Sequence, residues 1–83
     1  MKRFRVGDRI TLPSGMKFKV TCAADPKRPW AAVHLGRHWH VMRERQDGAR
    51  LGVEHYFGGH LAPLQLDEAD AESVAAILNE VRP

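Results

Sequence analysis

Residues 4–20 read FRVGDRITLPSGMKFKV, and apolar and polar side chains alternate along both halves of this stretch. An alternation with a period of two is typical of a β-strand that buries one face. Pro13, Ser14 and Gly15 interrupt the alternation with turn chemistry, since proline fixes φ and glycine accepts a positive φ. The stretch therefore predicts two paired strands joined at this turn.

The phase of this hairpin decides which side chains share a face. The side chains predicted to point inward are Phe4, Val6, Ile10, Leu12, Met16, Phe18, Val20 and Cys22. The basic side chains predicted to point outward together are Arg3, Arg5, Arg9, Lys17 and Lys19. Such a ribbon suits an anionic partner. A charged strand face that only prevents edge-to-edge aggregation is the alternative.

Three further strands are predicted after a loop at residues 23–29, which contains two Xaa-Pro pairs. They span residues 30–35, 38–46 and 49–57. Gly36-Arg37 is predicted to form a type II′ turn, and Asp47-Gly48 a two-residue hairpin loop. Counting outward from these turns gives the following opposite pairs: Leu35 and His38, Gln46 and Ala49, Met42 and Val53, His40 and His55.

The last third of the chain has the pattern of an extended segment followed by a helix. Pro63 limits residues 61–66 to an edge or crossing segment. Asp67 has the character of an N-cap, and acids follow it where the helix dipole favours them. Apolar residues then recur at helical spacing, so we expect a helix over residues 67–82 that ends at Pro83.

These elements predict a mainly β, α+β fold of one domain over residues 1–83. A strongly bent antiparallel sheet or small barrel of about five strands would occupy residues 1–66, with one amphipathic helix after it. Residues 4–20 resemble the first hairpin of SH3-like small barrels, in which a Gly-Asp pair (here Gly7-Asp8) lies in the first strand and a Ser-Gly turn follows. The resemblance implies a fold and carries over no functional residues.

The predicted pairing divides the central sheet into two faces. The first face carries Ala31, Val33, Leu35, His38, His40, Met42, Leu51, Val53, His55 and Phe57. The second carries Trp30, Ala32, His34, Trp39, Val41, Arg43, Arg45, Arg50, Glu54 and Tyr56. The first face has more apolar residues, so we expect it to form the core. A slip of one residue would invert this assignment.

Two candidate sites follow from the faces. On the second face, aromatic rings interleave with a cation, as in a stacking platform for bases: Trp30, His34, Trp39, Arg43 and Tyr56. Alternatively, these rings are the surface that the helix covers. On the first face, His38, His40 and His55 could share one Zn²⁺, with Cys22 as a fourth ligand. Alternatively, these histidines are neutral, hydrogen-bonded side chains.

Charge is distributed unevenly along the chain. Residues 1–50 have a formal charge of +8 and residues 51–83 a charge of −5. No catalytic arrangement is evident, so we expect a non-enzymatic binding module whose basic face takes nucleic acid. One alternative is a protein–protein adaptor or small inhibitor that docks on an acidic surface of a larger protein complex, whether or not that complex handles nucleic acid. Another is a histidine-based metal-binding domain, and a homodimer is compatible with the charge asymmetry.

Two absences bear on location. The sequence shows no signal peptide and no apolar run of membrane-spanning length, so no membrane partner is expected. Cys22 is the single cysteine, so no internal disulfide can form. A reducing, cytoplasmic setting is the expectation.

Overall fold

The structure is a computed structural model that describes residues 4–47 and 50–83. Within these residues it has seven short strands and one helix. In chain order they are β1 (Phe4–Arg5), β2 (Arg9–Thr11), β3 (Lys17–Lys19), β4 (Ala31–Leu35), β5 (His38–Asp47), β6 (Arg50–His55), α1 (Glu68–Leu78) and β7 (Val81–Arg82).

The strands form three separate sheets. β2 and β3 make an antiparallel hairpin, β4, β5 and β6 make a three-stranded antiparallel sheet, and β1 pairs with β7 in parallel. The α+β class with one C-terminal helix is therefore confirmed. The described strands do not close into a barrel, because the ladder is interrupted between the sheets.

The predicted first strand is interrupted at Val6 and Gly7. The Asp8 N–H donates to the Arg5 carbonyl at 3.1 Å, and Gly7 has a φ of +99°, as at the third position of a type II turn. This turn changes the phase of the chain, so Val6 is 54% exposed rather than buried. It also sends β1 to a different sheet from β2, where Phe4 pairs with Val81.

The hairpin itself is confirmed. Arg9 lies opposite Lys19, and Thr11 lies opposite Lys17. The turn closes through the Gly15 N–H, which donates to the Leu12 carbonyl at 2.8 Å. Most of the predicted inward residues point into the core, but Met16 is exposed beside the turn.

The central sheet follows the predicted pairing at its first turn and departs from it at the second. Leu35 pairs with His38 across Gly36, whose φ of +61° suits a type II′ turn. At the other end, Asp47 pairs with Arg50, so Met42 lies opposite His55 rather than Val53. Gln46 lies opposite Leu51, whereas its predicted partner is Ala49. Residues 48 and 49 lie outside the described residues.

This shift moves β6 by two residues along β5, so the two faces keep their predicted membership. The prediction of which face is buried is nevertheless wrong. Trp30, Val41 and Tyr56 of the second face are buried in the core, whereas Leu35 and Val53 of the first face are exposed. The Trp and Tyr rings of the second face offer more apolar area than the Val and His side chains of the first face. The second face, with the larger apolar surface, is therefore the one that is buried.

Helix α1 covers this second face, where it contacts β4 and β5. Asp67 is its N-cap as predicted, and the buried apolar side chains are Ala71, Val74, Ala75 and Leu78. The helix ends at Leu78, earlier than predicted, because the Asn79 side chain bonds both the N–H (2.8 Å) and the carbonyl (2.9 Å) of Trp30. The chain then extends as β7. Neither α1 nor any other described segment is a helix long and apolar enough to span a membrane.

Candidate functional site

A cationic groove lies along the β2–β3 hairpin, where it meets a tight turn at residues 57–60. Its volume is about 260 Å³, and its cations are Arg9, Lys17 and Lys19. The groove is completed by Phe18, Gly58, Gly59 and His60. We call this site the cationic groove.

No side chain that the structure describes neutralises the charges in the cationic groove. Arg9 and Lys19 are cross-strand neighbours, and Lys17 lies two residues along the same face of β3. Like charges at such positions repel each other and destabilise the sheet. No carboxylate lines the groove, and no ion pair joins these three residues to any side chain that the structure describes. The arrangement favours an external anion.

The acidic start of α1 lies at the tip of the hairpin and not over its cations. The Asp70 carboxylate is buried, and it accepts hydrogen bonds from the backbone N–H (3.2 Å) and the hydroxyl of Ser14. This contact holds the β2–β3 turn against the helix. The helix therefore positions the hairpin without covering its basic face.

The five predicted members of the basic ribbon do not all come together. Arg9, Lys17 and Lys19 share the cationic groove, whereas Arg5 lies in the β1–β7 sheet and is exposed there. The type II turn at Val6 and Gly7 is the physical reason, since it ends the strand that would have aligned them. Arg3 lies outside the described residues.

The predicted aromatic platform is not available for stacking. Trp30 is 4% exposed and Tyr56 is 2% exposed. Their rings meet edge to face, with centroids 5.2 Å apart. The Arg43 guanidinium lies 4.3 Å from the centre of the Trp30 ring and bonds Glu54 at 2.9 Å, so this cation has internal partners. The helix-covered alternative is the one that the structure supports.

Trp39 and His34 occupy neighbouring positions on β5 and β4, as predicted from the turn. Their rings are stacked, with centroids 4.9 Å apart and planes inclined by 6°. Trp39 is half-buried against the core, and His34 is exposed beside it. One face of the Trp39 ring is thus covered by an imidazole.

The three histidines of the metal hypothesis are not gathered around one point. His40 and His55 meet edge to face with ring centroids 5.7 Å apart, and His38 is exposed. Among the described residues, no three His, Cys, Asp or Glu side chains could hold a metal ion, and Cys22 packs against the core. The altered β5–β6 register is the reason, because His55 pairs with Met42 and not with His40.

His40 is nevertheless an unusual histidine. Burial lowers the pKa of its imidazole, and the nearby His55 and His38 lower it further. Its Nδ1 is buried and has no hydrogen-bond partner within residues 4–47 and 50–83. The neutral imidazole is therefore the form that the fold accommodates.

We expect the protein to lose stability as the pH falls below about 6.5, the ordinary pKa of histidine. Between that value and the lowered pKa of His40, the unfolded chain binds more protons than the folded one, so stability rises with pH in this window. Thermal melts at pH 7.5 and 5.5 test this, with His40→Gln reducing the difference and the exposed His60→Gln leaving it intact. If the melting temperatures at the two pH values differ equally in both variants, the pH dependence does not come from His40.

The sequence reasoning missed the contribution of Phe57, Gly58, Gly59 and His60. The local sequence pattern assigns no role to the Gly58-Gly59 pair, yet the turn that it forms is a wall of the cationic groove. Two adjacent glycines flanked by an aromatic residue and a histidine were the available signal. Their approach to the hairpin depends on tertiary packing, which the local pattern does not encode.

Comparison with known proteins gives no family to which the chain can be assigned. No protein-family model, no curated protein and no solved structure matches it. The function is therefore inferred from the geometry described above.

Proposed function

We propose that this protein is a non-enzymatic module that binds nucleic acid through the cationic groove. The observation that carries the proposal is the placement of Arg9, Lys17 and Lys19 side by side, with no carboxylate among the described residues that line the groove. Phosphates spaced along a nucleic-acid backbone are the natural counterpart of such a row of cations. Like-charge repulsion between Arg9 and Lys19 in the free protein would be relieved by a bound phosphate.

The proposal predicts binding that weakens steeply with salt. Three phosphate contacts give a slope of log K against log salt of about −2 for single strands and about −3 for duplexes. The affinity should therefore fall about 20- to 40-fold between 50 and 200 mM salt. Fluorescence anisotropy with labelled DNA and RNA oligonucleotides measures this slope directly.

A matched pair of variants separates the site from the overall charge. Lys17→Gln/Lys19→Gln removes two groove cations, whereas Lys27→Gln/Arg37→Gln removes two exposed cations elsewhere; each lowers the formal net charge from +3 to +1. We expect the affinity of the first variant to fall only about threefold between 50 and 200 mM salt, and we expect the second variant to bind like the parent. The groove variant should melt no lower than the parent, because a repulsive contact has been removed. Equal losses in both variants would refute the groove as the site.

A second candidate function is a protein–protein adaptor, and the outer face of the β4–β5–β6 sheet favours it. This face exposes Leu35 (43%) and Val53 (59%), and Val33 and Met42 line a groove of about 540 Å³ upon it. Exposed apolar surface of this kind is typical of protein docking sites. Oligonucleotide binding and sedimentation of the isolated protein distinguish the two functions. The adaptor function is preferred if the protein binds no oligonucleotide and sediments as a dimer, and if Val53→Lys converts that dimer to a monomer.

The proposed setting is the reducing cytoplasm. Cys22 is a free thiol that is half-buried against the core. A free thiol such as that of Cys22 stays reduced in the cytoplasm, so its presence is compatible with that compartment.

A further inference from the structure

The turn at residues 57–60 is rigidly held beside the cationic groove. The His60 N–H donates to the Phe57 carbonyl at 2.9 Å, and the φ values of Gly58 and Gly59 are +60° and +90°, as in a type I′ turn. A Cβ on Gly58 would lie 3.0 Å from the Leu64 side chain, and L side chains rarely adopt its positive φ, so this position favours glycine. The Lys19 N–H also donates to the Gly58 carbonyl at 3.0 Å, which ties the turn to β3.

The turn places two rings at its ends, outside the hydrophobic core. Phe57 is 43% exposed, and His60 is exposed. Phe57 does not belong to the described core cluster and has no aromatic partner among the described rings. An exposed phenylalanine on a fixed turn offers a flat apolar surface to a partner.

These rings also border a second cleft, which shares two lining residues with the cationic groove. The second cleft has a volume of about 360 Å³ and is lined by Phe57 and His60, together with Thr21, His55 and the ion pair of Arg43 and Glu54. Gly59 and His60 line both cavities, so the two open onto the same turn. A ligand can therefore reach the cations on one side of the turn and the Phe57 ring on the other.

We infer that the nucleic acid bound here is single-stranded, with its phosphates in the cationic groove and an unpaired base stacked on Phe57 beside His60. The inference rests on the proposed function and specifies its ligand. A phenyl face can stack only on a base whose own face is free, and in a duplex those faces are occupied by neighbouring base pairs. Stacking of this kind tolerates any base, so recognition is independent of sequence.

The test uses three fluorescent probes of equal length: a single-stranded oligothymidylate, the same strand with abasic sugars in place of the bases, and a DNA duplex. The first two have the same phosphates and differ only in their bases. We expect the protein to bind the oligothymidylate roughly 5- to 150-fold more tightly than the abasic strand, which is the range for one stacked base. It should also prefer the oligothymidylate to the duplex.

Phe57→Leu removes the aromatic face and keeps an apolar side chain, and Leu35→Ala is a control at an equally exposed apolar position. The Phe57 variant should lose the preference for bases and bind both single strands as the parent binds the abasic strand. The Leu35 variant should keep the preference. Thermal melts of both variants establish that they are folded.

The outcomes distinguish this inference from the proposed function. Equal parental affinity for the abasic and base-containing strands, tighter binding of the duplex, or a preference that survives Phe57→Leu overturns the stacking inference. In each of those cases salt-dependent binding still supports the cationic groove. No binding of any probe at 50 mM salt overturns the proposed function itself.

Discussion

Replacement of Tyr56 by alanine is expected to bring the protein close to unfolding. The Tyr56 ring lies in the core, in edge-to-face contact with the rings of Phe18 and Trp30. The ring centroids are 6.1 Å and 5.2 Å from that of Tyr56. Loss of a buried aromatic side chain costs about 3–5 kcal/mol. A domain of this size has a free energy of unfolding of roughly 4–12 kcal/mol, so the loss is a large part of the total.

Tyr56→Phe separates the hydroxyl group from the ring. The hydroxyl accepts from the Thr21 N–H at 3.0 Å and donates to the Lys19 carbonyl, and it thereby fixes the end of β3 that carries a groove cation. Burial raises the pKa of this phenol, so it stays protonated and able to donate. We expect Tyr56→Phe to lower the free energy of unfolding by about 1–3 kcal/mol, because both backbone groups lose their partner.

Urea unfolding followed by tryptophan fluorescence measures both Tyr56 variants. The expected order of stability is parent, Tyr56→Phe, then Tyr56→Ala. A phenylalanine variant as stable as the parent would show that water replaces the hydroxyl without cost. One as unstable as the alanine variant would place the whole effect in the hydrogen bonds and not in ring packing.

Asp70→Ala is expected to have the second large effect, a loss of about 2–3 kcal/mol. Asp70 is 2% exposed, and its carboxylate accepts both the N–H and the hydroxyl of Ser14. Its removal leaves these donors without their partner and detaches the β2–β3 turn from α1. Because that turn joins the strands of the cationic groove, affinity for the single-stranded probe should fall as well.

Three further variants test whether the loss of stability comes from the contact between Asp70 and Ser14. Ser14→Ala removes one of the two donors, so we expect a loss of about 1 kcal/mol. Glu72→Ala changes an exposed acid of the same helix and should alter stability by no more than about 0.5 kcal/mol. In a double-mutant cycle, Ser14→Ala should cost little once Asp70→Ala is present. Additive losses would mean that Asp70 and Ser14 act independently, contrary to the geometry.

Features that depend on a few consecutive residues could be predicted from the sequence. The β2–β3 hairpin follows from alternation around Pro13-Ser14-Gly15, and the Gly36 turn follows from a residue that accepts a positive φ. The N-cap Asp67 and the buried stripe of α1 follow from capping chemistry and helical spacing. For the same reason, the clustering of Arg9, Lys17 and Lys19 was predictable, since one hairpin carries all three.

Features that depend on contacts between distant segments could not be predicted in this way. The alternation assigns residues to two faces of the central sheet, but helix α1 decides which face is buried, and it selects the one with Trp30 and Tyr56. The pairing of β1 with β7 and the early end of the helix at Asn79 likewise join opposite ends of the chain.

The candidate site divides along the same line. Its cations belong to a local hairpin, so their common face is a property of the strand period. The second wall, from Gly58 to His60, reaches the hairpin because Gly58 lies against Phe18 and Leu64 and its carbonyl accepts from the Lys19 N–H. Side-chain periodicity thus determined where charge accumulates, whereas the burial of the largest apolar area in the folded chain decided which rings remain exposed beside it.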